Sequence, residues 1–590
     1  MKASLSPNPM RAQTGTISRA GNRIPWFVFG GAALATLVLY LPTLQYGFVW
    51  DDNELIVENP YLAKAGPAQL FTRGFWHNPG PDRAADDMSY YRPLTNLSFH
   101  ADRRVWGLRP SGYHLTNVII NTAVVFLMSL LLWELFGSAW LAGLGGLLVG
   151  IHPAMNCVVA FISNRTYLLA LLFLLASAYA LWRGQRGRAR IWPALFGGSL
   201  LLSGLAIEAS LAFTVLAAAW LISQRARYYR FPAWMAAAAA PAAAYLLLRL
   251  GVARVPFAGS VAPWMVTDPL RVVNSFGQQL QLLFFPFNQK VIYVLTGAFT
   301  GFSWYTVLGL LFLGLPLFPL LRHGRSDPVR LGWHGYAWMV LFLLPFAHLV
   351  FLGPAGRMLY LAAPGVLIML AALYRTASPG RTITLLLRGV LLLYTVALAG
   401  QTLRRNPVWR SELSLSRTMV LEAPGSAGGH LNYAAALEQA GRKDEALEHF
   451  RAAAGIDPDY VAPHLGLAFA LIDREDLPGA IRELREVVRL RPESPEARND
   501  LALTLRRSGR FDSAIVEYRE ALRLNPGSAQ TLNNLGFAYL AHGDFAQAIS
   551  CLKAALRLRP DFASARGNLA AAYRQAGMPD SAALVESGER

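Results

Sequence analysis

The sequence predicts an all-α protein in two unlike parts: a polytopic bundle of about eleven membrane-crossing helices, followed by an α-solenoid of repeats. Three observations predict it. The chain is 54% hydrophobic, too apolar for an ordinary soluble protein. Apolar segments of bilayer-spanning length recur as far as residue 400 and not beyond it. From there, proline returns at a fixed interval of 34 residues.

Residues 1–25 form a polar, basic tail, and the apolar stretch at 26–44 ends in YLPTLQYGF with no small-x-small cleavage pattern, so it reads as a retained first helix. Further spans are expected at 114–134, 138–156, 166–182, 191–206, 209–223, 232–250, 301–321, 332–352, 358–374 and 383–400. The net charge of +18 raises the question of nucleic acid, but the basic residues form no single patch. They fall in short runs between apolar segments: RGQRGRAR (183–190), QRARYYR (224–230), RHGRSDPVR (322–330) and RTASPGR (375–381). Cytoplasmic loops have this character, so no nucleic-acid partner is expected. Two cysteines, Cys157 and Cys551, exclude a disulfide framework.

Keeping those runs on one side requires a cytoplasmic N-terminus and an exterior 251–300, with RVVNSFGQQLQLLFFPF as a re-entrant or interfacial helix. Residues 45–113, 152–165, the turn at Glu208, 251–300 and GPAGR (353–357) then share one exterior compartment, as does everything after the last span. A bacterial inner membrane is the expected setting.

The later prolines are Pro424, Pro458, Pro492, Pro526 and Pro560, and their step of 34 residues is the tetratricopeptide period. Gly441, Gly509, Gly543 and Gly577 keep that phase at the end of a first helix, with Glu475 as the exception. Ala446, Ala480, Ala514, Ala548 and Ala582 mark where paired helices must approach closely. The expected organisation is a membrane domain over 26–403, a linker over 404–424, and repeats over 425–590, four full and a partial fifth. Such repeats present a concave face to a protein or peptide and carry no chemistry, so chemistry belongs to the membrane domain.

Exterior loop 45–113 opens with FVWDDNELIVENPYL, which sets Asp51 and Asp52 beside an apolar span, and later carries Trp76, His77 and SYYRPLTNLSFHADRRVWGL. Burial and a like-charged neighbour both raise a carboxylate pKa, so either Asp is a candidate general base. In an extended segment the two would point in opposite directions. The plainer reading has one Asp capping a helix and the other solvated. Other exterior positions add Arg92, His114, His152, Arg165, Glu208 in LLSGLAIEASLAF with no base beside it, and Arg357 at the head of a span. Together they suit an anionic lipid head group, Arg92, Arg165 and Arg357 holding its phosphate and Glu208, His114 and His152 supporting them. No Cys/His ligand spacing marks a metal site, and an Asp pair alone leaves a divalent ion open. No cofactor is expected.

The order of motifs, FVWDDNELIVENP, YYRPLTNLSFHADRRVWGLRPSGYHLTNVIINT, IHPAMNCVVAFISNRTYLLA, the Glu208 turn, GRMLYLAAPG and then the repeats, resembles the transmembrane-and-TPR O-mannosyltransferase family and its bacterial relatives. The resemblance runs from about residue 26 to the end and implies a GT-C-like membrane glycosyltransferase that uses a polyprenyl-phosphate sugar. It implies that Asp51 or Asp52 matches the essential acid and that Arg357 matches the arginine of the E-R-x-L-Y-L-P stretch. This chain departs from that family at Gly356, Ile207, Met155, Cys157 and Tyr167, where Glu, Lys, His, Glu and Asp are common. Two readings follow: a mannose-like sugar transferred to a protein hydroxyl or glycan, with the repeats holding the acceptor, or a non-catalytic membrane scaffold for envelope proteins.

Overall fold

The computed structural model describes residues 24–75, 90–186, 189–255, 269–291, 302–314, 316–317, 326–347 and 356–587. Every regular element among them is helical. The chain divides into two compact units, Met1–Leu415 and Ser416–Arg590.

In the first unit, six helices are long and apolar enough to cross a bilayer: Trp26–Gln45, Pro110–Phe136, Ile162–Gly184, Phe231–Val252, Leu359–Ala377 and Arg381–Trp409. A seventh forms if Ala139–Ile151 and Pro153–Ala160, bent by 47° at His152, count as one broken span. Three other expected spans are shorter apolar helices, Ile191–Ala206, Glu208–Ser223 and Trp304–Gly314. The segment at 332–352 falls in Asp327–Ala347 and then runs into residues outside the described set. Eleven expected crossings thus meet six or seven helices of full length among the described residues. Phe27, Leu386 and Leu393 are 98%, 65% and 73% exposed, which suits helices facing hydrocarbon rather than water.

Without a hydrophobic drive inside lipid, close packing must hold such helices together, and small residues permit it. A methyl added at Gly146 would meet the Val125 carbonyl oxygen at 2.7 Å, and one at Gly150 would meet the Thr36 hydroxyl at 2.6 Å. Ala139–Ile151 therefore lies flush against Pro110–Phe136 and Trp26–Tyr40. The expected helix over 271–287 is present as Pro269–Phe284.

Loop one is a folded cap with its own core. Leu55, Ile56, Leu62, Leu70, Phe75 and Phe99 pack with Tyr113 and Ile162, which ties the cap to two bundle helices. The Asn59 side chain accepts the Leu62 N–H at 3.0 Å to start the Pro60–Lys64 helix, and Pro93 opens the helix Pro93–Trp106. Trp76 and His77 lie outside the described residues, as do 353–355 of the GPAGR turn.

The second unit is five helix pairs: Ala427–Gln439 with Lys443–Ile456, Val461–Asp473 with Leu477–Leu490, Pro495–Arg507 with Phe511–Leu524, Ala529–His542 with Phe545–Leu558, and Ala563–Gln575 with Pro579–Ser587. Ala446, Ala480, Ala514 and Ala548 are fully buried, as close approach requires. Gly441, Gly509, Gly543 and Gly577 have φ of 76°, 77°, 91° and 75°, and Glu475 adopts φ 63° at the same phase. The repeat geometry imposes the left-handed turn even where glycine is missing.

Candidate functional site

The acidic pair follows directly on the first apolar helix, but it is not extended. Trp50 has φ 51°, and Asp51 and Asp52 then enter a helical turn that continues as a π-helical turn over Asn53–Val57. The two side chains therefore part by a helical rotation rather than by alternation. Asp52 is fully buried. Its Oδ2 accepts the Val49 N–H at 3.2 Å, and its Oδ1 accepts the Ser163 N–H at 2.8 Å and the Ser163 hydroxyl. Burial pushes its carboxyl up to about 7, against those hydrogen bonds, and the Asp51 charge adds to the rise. Asp52 is a latch that pins loop one to the turn before Arg165–Gly184.

Asp51 is only partly buried. Burial raises its carboxyl above the usual range, the Arg357 guanidinium opposes that rise, and the Glu412 carboxylate adds to it. Arg357 heads the helix Gly356–Ala377 and is itself half-buried. Among the described residues its Nε, although buried, has no hydrogen-bond partner. Gly356 beside it packs directly on the Ala154 carbonyl, so the backbone there has no room for a side chain. This is the physical reason for glycine at that position.

Several residues expected at an open pocket are consumed by the interior. Arg165 is fully buried: NH1 pairs with Asp102 Oδ2 at 2.6 Å, Nε donates to Asn117 Oδ1 at 2.6 Å, and NH2 donates to the Tyr113 carbonyl at 2.9 Å. Its guanidinium also lies over the Phe99 ring at 4.8 Å. It staples helix Pro93–Trp106 to the bundle, and each of its three nitrogens is engaged in the interior. His152 Nε2 meets the Leu283 carbonyl at 2.8 Å, and its Nδ1 accepts the Ala154 N–H at 3.2 Å, which caps the bend. His114 is buried too, with Nε2 at 3.5 Å from the Gly47 carbonyl, but its Nδ1 has no hydrogen-bond partner among the described residues.

A second polar centre forms where the sequence placed no base beside Glu208. Arg92 reaches it across the fold, with Nε at 3.3 Å and NH2 at 3.5 Å from the carboxylate. Burial alone would push the Glu208 carboxyl up, and Arg92 outweighs it, so the group sits below its ordinary value. The Arg92 guanidinium also lies over the Tyr90 ring at 4.6 Å and the Phe75 ring at 5.4 Å. The single pocket expected from helix ends is thus two centres, Asp51 with Arg357 and Arg92 with Glu208, while Arg165, His114 and His152 are interior. Among the described residues no three His, Cys, Asp or Glu side chains converge as a metal site.

Sequence reasoning missed Ser163, Asp102 and Glu412. Ser163 and Asp102 sit inside motifs already singled out, SNRTYLLA and FHADRR, but nothing local says which partner they meet. Glu412 carried no signal, since it lies in the expected linker.

Residues 397–461, 465–529 and 529–562 match the tetratricopeptide repeat family. The C-terminal unit is a tetratricopeptide-repeat domain. Over as much as 74% of the chain, similarity runs to proteins named protein O-mannosyl-transferase. Tmtc3 of Drosophila melanogaster is 26% identical over 524 residues, 74% of this chain and 55% of that protein. Tmtc1 of the same organism is 35% identical over 150 residues, 24% of this chain and 17% of that protein. The match thus spans 55% of the length of Tmtc3 and 17% of that of Tmtc1. Among solved structures, a crystal structure of MamA protein aligns over 28% of this chain and 88% of its own, at 23% identity and a TM-score of 0.27. The chain is similar to the transmembrane-and-TPR protein O-mannosyl-transferases, as its motifs imply.

Proposed function

We propose that this protein is a membrane glycosyltransferase of GT-C type that moves a mannose-like sugar from a polyprenyl-phosphate carrier to a hydroxyl of a protein or glycan. Asp51 takes the proton from the acceptor hydroxyl as its oxygen bonds to the anomeric carbon, and the bond from that carbon to the phosphate breaks. Arg357 holds the departing polyprenyl phosphate. The single observation that carries this reading is the pairing of a partly open carboxylate, raised by burial, with a cation whose buried Nε has no partner among the described residues. Its place beside an apolar helix suits a donor that cannot leave the membrane. The names of the relatives support the chemistry. The tetratricopeptide domain binds the acceptor, and no cofactor is invoked. The basic runs at 183–190 and 224–230 support a bacterial inner membrane setting with the N-terminus cytoplasmic and the repeats outside.

The alternative, a non-catalytic membrane-anchored scaffold for envelope assembly, draws on one observation: Arg165 and His152 are spent on structure. One experiment separates the two. Purified protein in nanodiscs is incubated with labelled polyprenyl-phosphate mannose and an acceptor protein, beside Asp51→Asn. Transfer by the parent that collapses in the variant supports the enzyme. Absence of transfer and hydrolysis in both supports the scaffold.

A further inference from the structure

The end of the last apolar helix and the residues just after it are not a free tether. Asn406 Nδ2 donates to the Leu39 carbonyl at 3.3 Å, and the Arg410 carbonyl accepts the Gly47 N–H at 3.0 Å. Trp409 stacks on Phe161 at 5.3 Å between ring centroids, and Phe161 stacks on Trp50 at 6.3 Å. These contacts bring residues 406–412 against the start of loop one. At their end, Glu412 Oε2 accepts the Trp50 N–H at 2.7 Å.

Trp50 is the residue that needs such a hold. Its φ of 51° lies in the left-handed region, which a bulky side chain occupies only when its surroundings over-determine the backbone. That turn separates the two carboxylates: it sends Asp52 into its latch with Val49 and Ser163 and leaves Asp51 near Arg357. We propose that Glu412 is a positioning residue for Asp51, holding Trp50 in the left-handed turn through its backbone N–H and so aiming the Asp51 carboxylate at the reacting hydroxyl. The proposal rests on the reading of Asp51 as the general base.

The charged groups acting on Asp51 are Arg357, Glu412 and Asp52. Glu412 therefore has two effects that can be separated. Its oxygen holds the backbone, and its negative charge favours the protonated form of Asp51. Glu412→Gln keeps an acceptor for Trp50 and removes the charge. Glu412→Ala removes both.

The test uses the full chain in nanodiscs with two readouts. The first is labelling of Asp51 by carbodiimide and an amine, followed by mass spectrometry from acidic to neutral pH, which needs no turnover. The second is transfer from polyprenyl-phosphate mannose. Glu412→Ala is expected to change Asp51 labelling severalfold, and to lower kcat about tenfold to hundredfold with donor KM little changed, the signature of a misplaced base. Glu412→Gln is expected to keep most of kcat at neutral pH while the acid limb of the pH–rate profile moves to lower pH, because a negative neighbour has been removed. Arg225→Ala, exposed in the basic run at 224–230 and away from loop one in the proposed topology, is the control and behaves as the parent. Parent-like labelling and parent-like kcat in Glu412→Ala overturn the proposal. If the parent shows no transfer but Glu412→Ala still changes Asp51 labelling, the positioning stands and the glycosyltransferase reading fails.

Discussion

Loop one supplies the carboxylates of two carboxylate–arginine pairs, and the pairs are built for opposite purposes. Asp102 and Arg165 are sealed in the interior, with guanidinium nitrogens bonded to Asp102, Asn117 and Tyr113 and the Phe99 ring as a floor. Asp51 and Arg357 are partly open, and a buried guanidinium nitrogen has no partner among the described residues. A buried pair needs added bonds to offset its desolvation, and here Thr116 donates to Asp102 Oδ1 while Asp102 Oδ2 faces Arg165 as an ion pair. The open pair keeps bonding capacity in reserve, and a ligand can use it. By charge and sequence context the two arginines look alike, and their surroundings separate structure from site: Arg165 is fully buried with its three nitrogens engaged, whereas Arg357 is partly open.

The strongest way to break this contrast is Asp51→Asn. It should lower transfer by about 10²–10⁴-fold with thermal unfolding unchanged, because it removes basicity and little else. A variant as active as the parent would remove Asp51 from the chemistry. Arg165→Ala should do the reverse, costing about 3–5 kcal/mol of stability by stranding Asp102 in the interior. That loss is read by unfolding in detergent. If Arg165→Ala instead folds like the parent and loses donor affinity, the staple assigned here is wrong.

Arg357→Ala sharpens the comparison. It should raise donor KM about tenfold while leaving stability closer to the parent than Arg165→Ala does. An equal loss of stability in both variants would mean that the two pairs do not differ in kind.

The smallest effect expected is at Asp52. Its carboxyl is raised in the folded state from 3.8 to about 7, so folding takes up protons between those values. The stability it contributes is present below about pH 4 and is lost as pH rises through about 7. Asp52→Asn cannot titrate, so that part of the pH dependence of unfolding should vanish. Its amide N–H₂ would face the Val49 N–H, at a pH-independent cost of about 1 kcal/mol. An unchanged pH slope would show that Asp52 does not titrate as its burial implies.

The repeat unit was open to reading residue by residue. Proline, glycine and alanine at a 34-residue period place every turn and every close helix contact, since each repeat needs only itself and its neighbours. Even the exception at Glu475 takes the left-handed turn of its phase. The apolar helices and the acidic pair at the edge of the first one were visible too, because hydrophobic runs and adjacent residues are local features. The tertiary structure alone decided that Asp52 is the latch and Asp51 the open group, that Arg165 meets Asp102, that Arg92 crosses to Glu208, and that Glu412 reaches back to Trp50. These pairings join residues far apart in the chain. Which polar group meets which depends on how the helices pack, while composition and periodicity record only what each segment does with its own neighbours.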